Sequence, residues 1–405
     1  MISIGEALET VLSEVRTLEA EKVPLGEADG RILASDVRAP FDVPGFANSQ
    51  MDGFGVRSTD LADATADAPA RLKVLATIAA GRPFAGEVGP GQAVRIMTGA
   101  PIPPGVDAVV PIEDSTVDGG AVLLSRGCPA GRFVRLAGED LRTGETVLER
   151  GRFLRPADAG LLASLGFARV DVTRRPRVAI LGTGDELVPL GQPLGPGQIH
   201  DSNAYTLAAA VREAGGVPER MGIIRDDRKT LKEALDRASA CDAVLSTGGV
   251  SVGDFDHVKD VMDEIGLQRR FWKVAQKPGK PLTFAVRDRC LYFGLPGNPV
   301  AVMVTFLKVA RPIVLLLSGT AKLNETLYQI PAGFEFAKKP GRREWLRCHL
   351  EKDEEGGLCV LKYPNDGSGI LTSMVASDGL VELAEDSLGV EDGQLVDFLP
   401  FSEVM

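Results

Sequence analysis

Three glycine-studded stretches carry much of the chemistry that this sequence offers: STGGVSVGDFDH (Ser246 to His257), KVAQKPGKP (Lys273 to Pro281) and GLPGNP (Gly294 to Pro299). The first and third follow apolar runs and precede helical patterns, an order that aims backbone N–H groups at a phosphorylated anion. Ser246, Gly248, Gly249 and Ser251 in the first, and Pro296, Gly297, Asn298 and Pro299 in the third, are therefore candidate ligand-binding residues. In GLPGNP, Gly297 permits close backbone approach, Asn298 is a favoured N-cap and Pro299 suits a first helical position, though an ordinary strand-to-helix turn has the same composition. Between these stretches, Phe271 to Gln276 reads as a strand that puts Lys273, Ala275 and Lys277 on one face; a helical reading also pairs the lysines at i and i+4. Two ammonium groups held close repel each other, and an anion between them removes that penalty.

Carboxylates stand at or just beyond the ends of the same expected strands. LGTGDELV, after the strand RVAIL, supplies Asp185 and Glu186, but Leu187 occupies the place of the third glycine of a dinucleotide fingerprint. Asp226 lies in IIRDD and Asp256 in GDFDH. Oxygen ligands suit Mg²⁺, which also neutralises ligand phosphates, so Glu186, Asp226 and Asp256 form a candidate metal set. Taken singly, each also reads as a helix N-cap or first-turn acid. Upstream, Asp52 in NSQMDGF, Thr98 in IMTGAPIPPG, and Arg135 and Asp140 in VRLAGED lie in glycine turns that need no function to explain them. His200, His257 and His349 are too dispersed for a zinc constellation, and spacing assembles no Ser/His/Asp triad.

From Arg177 onward, strands alternate with helical patterns around Ser202 to Ala214, Lys229 to Ala238 and Phe255 to Ile265, with a further helix from Pro299. This predicts a central doubly wound, mostly parallel α/β domain over 176–320, with ligands outside the carboxyl ends of its strands. Before it, Ser3 and Glu6 form a capping box ahead of the stripe Ile4, Ala7, Leu8, Val11, Leu12 and Val15, and short β-rich runs follow from Pro24 to about Val172. After it, FEFAKK, EWLRCHLE, LCVLKYP, GLVELAED and QLVDFLPF predict a small all-β domain over 321–405.

Composition narrows the class. With 405 residues, 44% hydrophobic and 25% charged, the chain reads as an ordinary multidomain globular protein. A net charge of −11 argues against a nucleic-acid surface, and no stretch approaches the ~18 consecutive apolar residues of a membrane span. Five scattered cysteines never adopt CxxC spacing, and the N-terminus has no basic and apolar leader pattern, so a cytoplasmic location is expected.

Taken in order, NSQMDGF, IMTGAPIPPGVDAVVP, GED, GTGDEL, GQIHDSN, GIIRDD, STGGVSVGDFDH, FWKVAQKPGKP and GLPGNP resemble the molybdopterin molybdenumtransferase family, the MoeA proteins of molybdenum cofactor biosynthesis. The resemblance implies an elongated homodimer with four subdomains: a stem (1–50 and 140–175), an inserted β-rich lobe (51–139), the α/β domain, and a C-terminal barrel-like domain. It implies insertion of molybdate into the dithiolene of adenylylated molybdopterin with Mg²⁺-dependent release of AMP, and a possible hand-over from a molybdopterin adenylyltransferase. By motif position it assigns catalytic roles to Asp52, Thr98, Asp140, Glu186, Asp226 and Asp256. Arg135, Lys273, Lys277 and the loop residues named above then fall to the substrates. A C-terminal serine also corresponds, either Ser368 or Ser373. Gln50, Phe54 and His200 depart from the family pattern without removing a charged site residue. The adenylyltransferase of the same pathway is a second reading, but its loop reads GGTG where Val250 follows Gly248-Gly249 here. A receptor-clustering scaffold built on the same domain set is a third.

Overall fold

The apolar runs RVAIL and AVLST become adjacent parallel strands, Arg177–Thr183 and Ala243–Thr247, at the centre of a six-stranded sheet. The computed structural model describes the whole chain except Asp226, 249–254, Lys322, Asn324, 353–355 and Met405 and, within one helix, the side chains of 255–259. Across the sheet the order is Val217–Ile224, Arg177–Thr183, Ala243–Thr247, Cys290–Leu295, Pro281–Arg287 and Gln268–Lys273. The first four strands run parallel, and Pro281–Arg287 pairs antiparallel with both Cys290–Leu295 and Gln268–Lys273. The strand Pro281–Arg287 goes beyond the sequence reading; it returns the chain from the KPGKP turn.

Both faces of the sheet are covered, which is why its central strands are almost continuously apolar. Val178, Ile180, Leu245 and Phe293 face one core, with Leu207 and Val211 of the helix Asn203–Glu213. Ala179, Leu181, Val244 and Tyr292 face the other, under the helices Arg228–Ala238 and Phe255–Glu264. Phe284 stacks between Phe271 and Phe293 at ring separations of 5.7 and 5.0 Å.

The N-terminal helix Ile4–Glu14 starts at the expected capping box, with the Glu6 N–H donating to Ser3 Oγ and the Ser3 N–H donating to Glu6 Oε2. It buries Ile4, Ala7 and Val11 in the first core. After GLPGNP, a helix runs from Pro299 to Leu317 with a π-helical segment at Phe306–Ala310. It is long and apolar enough to cross a membrane, but 67% of it is buried in the protein, as a core helix would be.

The C-terminal strands curl into a barrel. Arg343–Lys352, Gly379–Leu383, Leu395–Pro400 and Tyr328–Pro331 pair in that order, while Leu358–Lys362 pairs with the other edge of Arg343–Lys352 and bridges back to Ala332 through Val360. Leu346, Cys348, Val381 and Phe398 fill its interior. The short strand Gln276–Lys277, from the glycine-rich motif, joins this sheet in parallel with Arg343–Lys352.

The two compact units of the chain are Met1–Ser35 with Arg150–Ala159 and Ala168–Met405, and Asp36–Glu149 with Gly160–Phe167. The α/β sheet and the barrel both belong to the first. The second holds its own six-stranded mixed sheet, packed with Phe54, Leu72 and Val122 in one core and Ile78, Val94 and Ile96 in another.

Replacing Phe284 by Ala removes the middle ring of the stack. Unfolding of the larger unit in urea should show a loss of about 3–5 kcal/mol, the usual range for a buried Phe→Ala change.

Candidate functional site

The sheet's carboxyl ends open onto a cavity of about 830 Å³. Thr183, Gly184, Asp185 and Glu186 line it after one central strand, Gly248 after the next, and Pro296, Gly297 and Asn298 after the third. Parallel strands bring these loops together because their carboxyl ends share one edge of the sheet. The opposite wall comes from the turn Lys277 to Pro281 and from the barrel, through Arg342, Glu344, Arg347, Asp366 and Ser368.

Backbone geometry makes several of these positions specific to glycine. Gly248 has φ +84°, and a Cβ there would lie 2.1 Å from the Thr183 carbonyl oxygen. Gly279, at φ +102°, lies against the Gln276 amide and the Thr305 hydroxyl, where a Cβ would meet them at 2.5 and 2.4 Å. The buried Gln276 side chain donates from Nε2 to the Gly279 carbonyl at 2.7 Å and to Thr305 Oγ1 at 3.1 Å, tying the KPGK turn to the core helix.

The GLPGNP loop is held from both sides. Asn203 Nδ2 donates to the Gly297 carbonyl at 2.8 Å, and Asn298 Nδ2 donates to Ser368 Oγ at 2.7 Å. The Val300 N–H adds a bond to the Ser368 carbonyl, so the barrel loop sits on the start of the core helix. This separates the two candidate serines: Ser368 lines the cavity, whereas Ser373 is fully buried and accepts from Arg347 Nε at 3.1 Å.

Arg347 also donates to the carbonyls of Asn365 and Gly367, and burial pushes its guanidinium below its ordinary pKa against the opposing pull of Asp366. Lys277 donates to Glu344 Oε2 at 3.2 Å. Together Lys277, Lys280, Arg342 and Arg347 give the barrel side of the cavity its cations.

The lysine pair expected from the sequence is not formed at this site. The first strand ends at Lys273, the Val274 and Ala275 backbone pairs with Lys280 and Ile2, and Gln276–Lys277 then crosses to the other sheet. Lys273 remains at the edge of the α/β sheet and is not among the lining residues, while Lys277 is. Ser246 also lies elsewhere than expected: it is buried, and its hydroxyl bonds Tyr292 Oη at 2.6 Å on the face of the sheet under the helices Arg228–Ala238 and Phe255–Glu264. Burial pushes the Tyr292 phenol up to about 12. Pro299 serves as a first-turn residue of the core helix and does not line the cavity. Gly249, Ser251 and Asp226 lie outside the described residues, as does the side chain of Asp256.

Glu186 stands at the mouth with Asp185, both exposed. Its carboxylate lies over Gly184, where a Cβ would fall 2.4 Å from Glu186 Oε2. These are hard oxygen donors of the kind Mg²⁺ takes, with open space beside them for water and ligand phosphates. Among the described residues, no group of three or more His, Cys, Asp or Glu converges as a complete metal cage.

In the smaller unit, the strands Gly53–Val56 and Gln92–Ile96 pair with Gly53 opposite Ile96, which brings the flanking Asp52 and Thr98 together. Asp52 Oδ1 accepts from both the backbone N–H and the hydroxyl of Thr98 at 2.7 Å. Those two bonds hold the Asp52 carboxyl below its ordinary pKa. Arg135 pairs with Asn48 on a short neighbouring ladder, and Asp140 is placed by its N–H bond to the Val43 carbonyl.

The sequence reading missed Arg342, Glu344, Arg347 and Asp366. A local signal exists in the charged run GRREWLR, but only the long-range pairing of that strand with Gln276–Lys277 aims it at the cavity.

Known proteins share this architecture. The chain matches the MoeA N-terminal region (domains I and II) over residues 2–166, a probable molybdopterin binding domain over 179–315, and the MoeA C-terminal region (domain IV) over 329–401. It is 36% identical to a molybdopterin molybdenumtransferase of Haemophilus influenzae over 100% of both chains. For the Nostoc sp. enzyme of the same name the identity is 40%, covering 86% of this chain and 83% of that one. A crystal structure of a molybdopterin biosynthesis MoeA protein from Pyrococcus horikoshii superposes with a TM-score of 0.84 and 33% identity, covering 99% of each chain.

Two substitutions test these local arguments. Gly248→Ala should destabilise the larger unit by about 1–3 kcal/mol, because the left-handed backbone and the Thr183 carbonyl both exclude a side chain; a melt that moves by less than a degree contradicts the geometry. Thr98→Val removes one of the two donors to Asp52, so the carboxyl titration followed by NMR should move up toward the ordinary aspartate range. The sign follows from linkage: Asp52 adds stability above its unfolded pKa, and that contribution disappears as pH falls through the lower folded value.

Proposed function

Because the chain belongs to the MoeA family of molybdopterin molybdenumtransferases, we propose that it inserts molybdate into the dithiolene of adenylylated molybdopterin and releases AMP in an Mg²⁺-dependent reaction. At the coarser level its role is that of its relatives: a transferase of molybdenum cofactor biosynthesis that works on molybdopterin.

The observation that carries the finer reading is the two-sided cavity. One wall offers glycine-rich backbone and the carboxylates Asp185 and Glu186; the other offers Lys277, Lys280, Arg342 and Arg347. Molybdate and the pyrophosphate of an adenylylated pterin are both anions, and acids alone would repel them. The cations of the barrel wall supply fixed positive charge, and the loops after the strands supply N–H groups that need no reorganisation when charge develops.

Asp185 and Glu186 are the described residues that would hold Mg²⁺. When bound there, the cation would shield phosphate charge and ease attack on the phosphoanhydride. Asp226 and Asp256 complete that set in the sequence reading. The chain's own contribution is to orient the pyrophosphate against the loops, to keep the oxyanion beside Lys277 and Arg347, and to exclude bulk water through the Ser368 loop.

The assembly proposed for this step is a homodimer in the cytoplasm, receiving its substrate from the adenylyltransferase that precedes it. Cys128, Cys241, Cys290, Cys348 and Cys359 are all free thiols, which suits a reducing compartment. Phe41, Phe46 and Leu136 of the smaller unit expose apolar surface that a second copy would cover.

Glu186→Ala should lower molybdate-dependent AMP release on the order of tenfold to a hundredfold, the scale for perturbing a metal site. The assay supplies adenylylated molybdopterin, molybdate and graded Mg²⁺. Undiminished release at every Mg²⁺ concentration would remove Glu186 from the chemistry. Failure of the wild-type gene to restore molybdoenzyme activity in a strain lacking molybdenumtransferase would overturn the assignment itself.

A further inference from the structure

The barrel wall of the cavity contains a carboxylate where an anion site needs none. Glu344 lines the cavity with a side chain only 5% exposed, and its neighbour Lys277, 44% exposed, donates to it at 3.2 Å. The contact is built into the backbone: Lys277 and Glu344 are register partners on paired parallel strands. Lys277 thus has its ammonium at the cavity side and a buried negative charge behind it.

A buried carboxylate is costly unless it is paired, so Glu344 needs a cation in the ligand-free chain. An incoming oxyanion needs the same ammonium. We propose that Glu344 is a resident anion of this site: it occupies Lys277 until ligand arrives, and it selectively weakens the binding of doubly charged oxyanions. This inference rests on the proposed oxyanion chemistry of the cavity and adds to it a residue that sets affinity and charge preference.

The physical consequence is graded by ligand charge. Coulomb repulsion between Glu344 and an anion beside Lys277 doubles, in energy, from a monoanion to a dianion of the same shape. Release is the functional counterpart, since a site made only of cations would hold a dianion too tightly to pass it on. Asp185, Glu186 and Asp366 also line the cavity, but the lysine that any oxyanion at this corner must share is in contact with Glu344.

Molybdate and perrhenate provide the test, being tetrahedral oxyanions of similar size that carry two charges and one. Calorimetric titration of the full chain should show Glu344→Gln tightening molybdate binding by roughly tenfold and perrhenate by roughly threefold, the square-root relation that Coulomb scaling demands. Glu344→Ala, which removes the hydrogen-bonding group as well, should keep the same order of the two gains, and thermal melts identify any variant that has lost its fold. Unchanged or weaker molybdate binding in folded variants, or equal gains for both anions, overturns the proposal while leaving the function above intact. A wild-type chain that retains neither anion overturns both.

Discussion

The site depends on one backbone pairing: two residues of the KVAQKPGKP segment, Gln276 and Lys277, laid in parallel beside Arg343 and Glu344 of the barrel. Hydrogen bonds between main chains fix distance and register together, which side-chain contacts alone do not. Through this ladder the sheet that carries the glycine loops and the barrel that carries Arg342 and Arg347 become opposite walls of one cavity. The segment is pinned at its other end too, where Ala275 donates to the Ile2 carbonyl at 2.8 Å and Ile2 to that of Lys273 at 3.2 Å. The first residues of the chain therefore help to aim Lys277.

Electrostatics explains why the pairing has to be so definite. A chain of net charge −11 repels anions at long range, so attraction must come from cations concentrated within a few ångströms of the ligand. Each of those cations needs a reason to stay in place. Arg347 is held by Ser373 and two loop carbonyls, and Lys277 by Glu344. Behind them, Glu382 receives Lys308 from the π-helical segment, Arg343 from the barrel strand and the Trp345 indole N–H. The irregular turn of the core helix thereby contributes a cation to the support of the wall.

Much of the α/β fold was legible because its signals are local. Capping at Ser3 and Glu6, alternation of apolar strands with helical stripes, and glycine at strand ends each depend on neighbours in sequence. Asp52 and Thr98 were singled out by motif, and strand pairing explains why they meet. The barrel wall was illegible for the opposite reason: Lys277 and Glu344 are 67 residues apart, and periodicity carries no record of which strand pairs with which. Reading Lys273 and Lys277 as one face failed because tertiary hydrogen bonds to Ile2 and Arg343 broke the strand between them. Ser246 opens the motif STGGVSVGDFDH and so reads as a ligand-binding residue, whereas the alternation of the strand turns it toward Tyr292.

The hydrophobic core under the Phe271, Phe284 and Phe293 stack does not stop at the α/β domain. Trp345, Met374, Leu380 and Leu399 of the barrel belong to the same continuous cluster as Val300, Phe306 and Val314 of the core helix. Two regions that look like separate modules along the sequence are, in thermodynamic terms, one cooperative folding unit. Excising the barrel would uncover that shared core and leave Gln276–Lys277 an orphan strand, so neither piece is an exchangeable part.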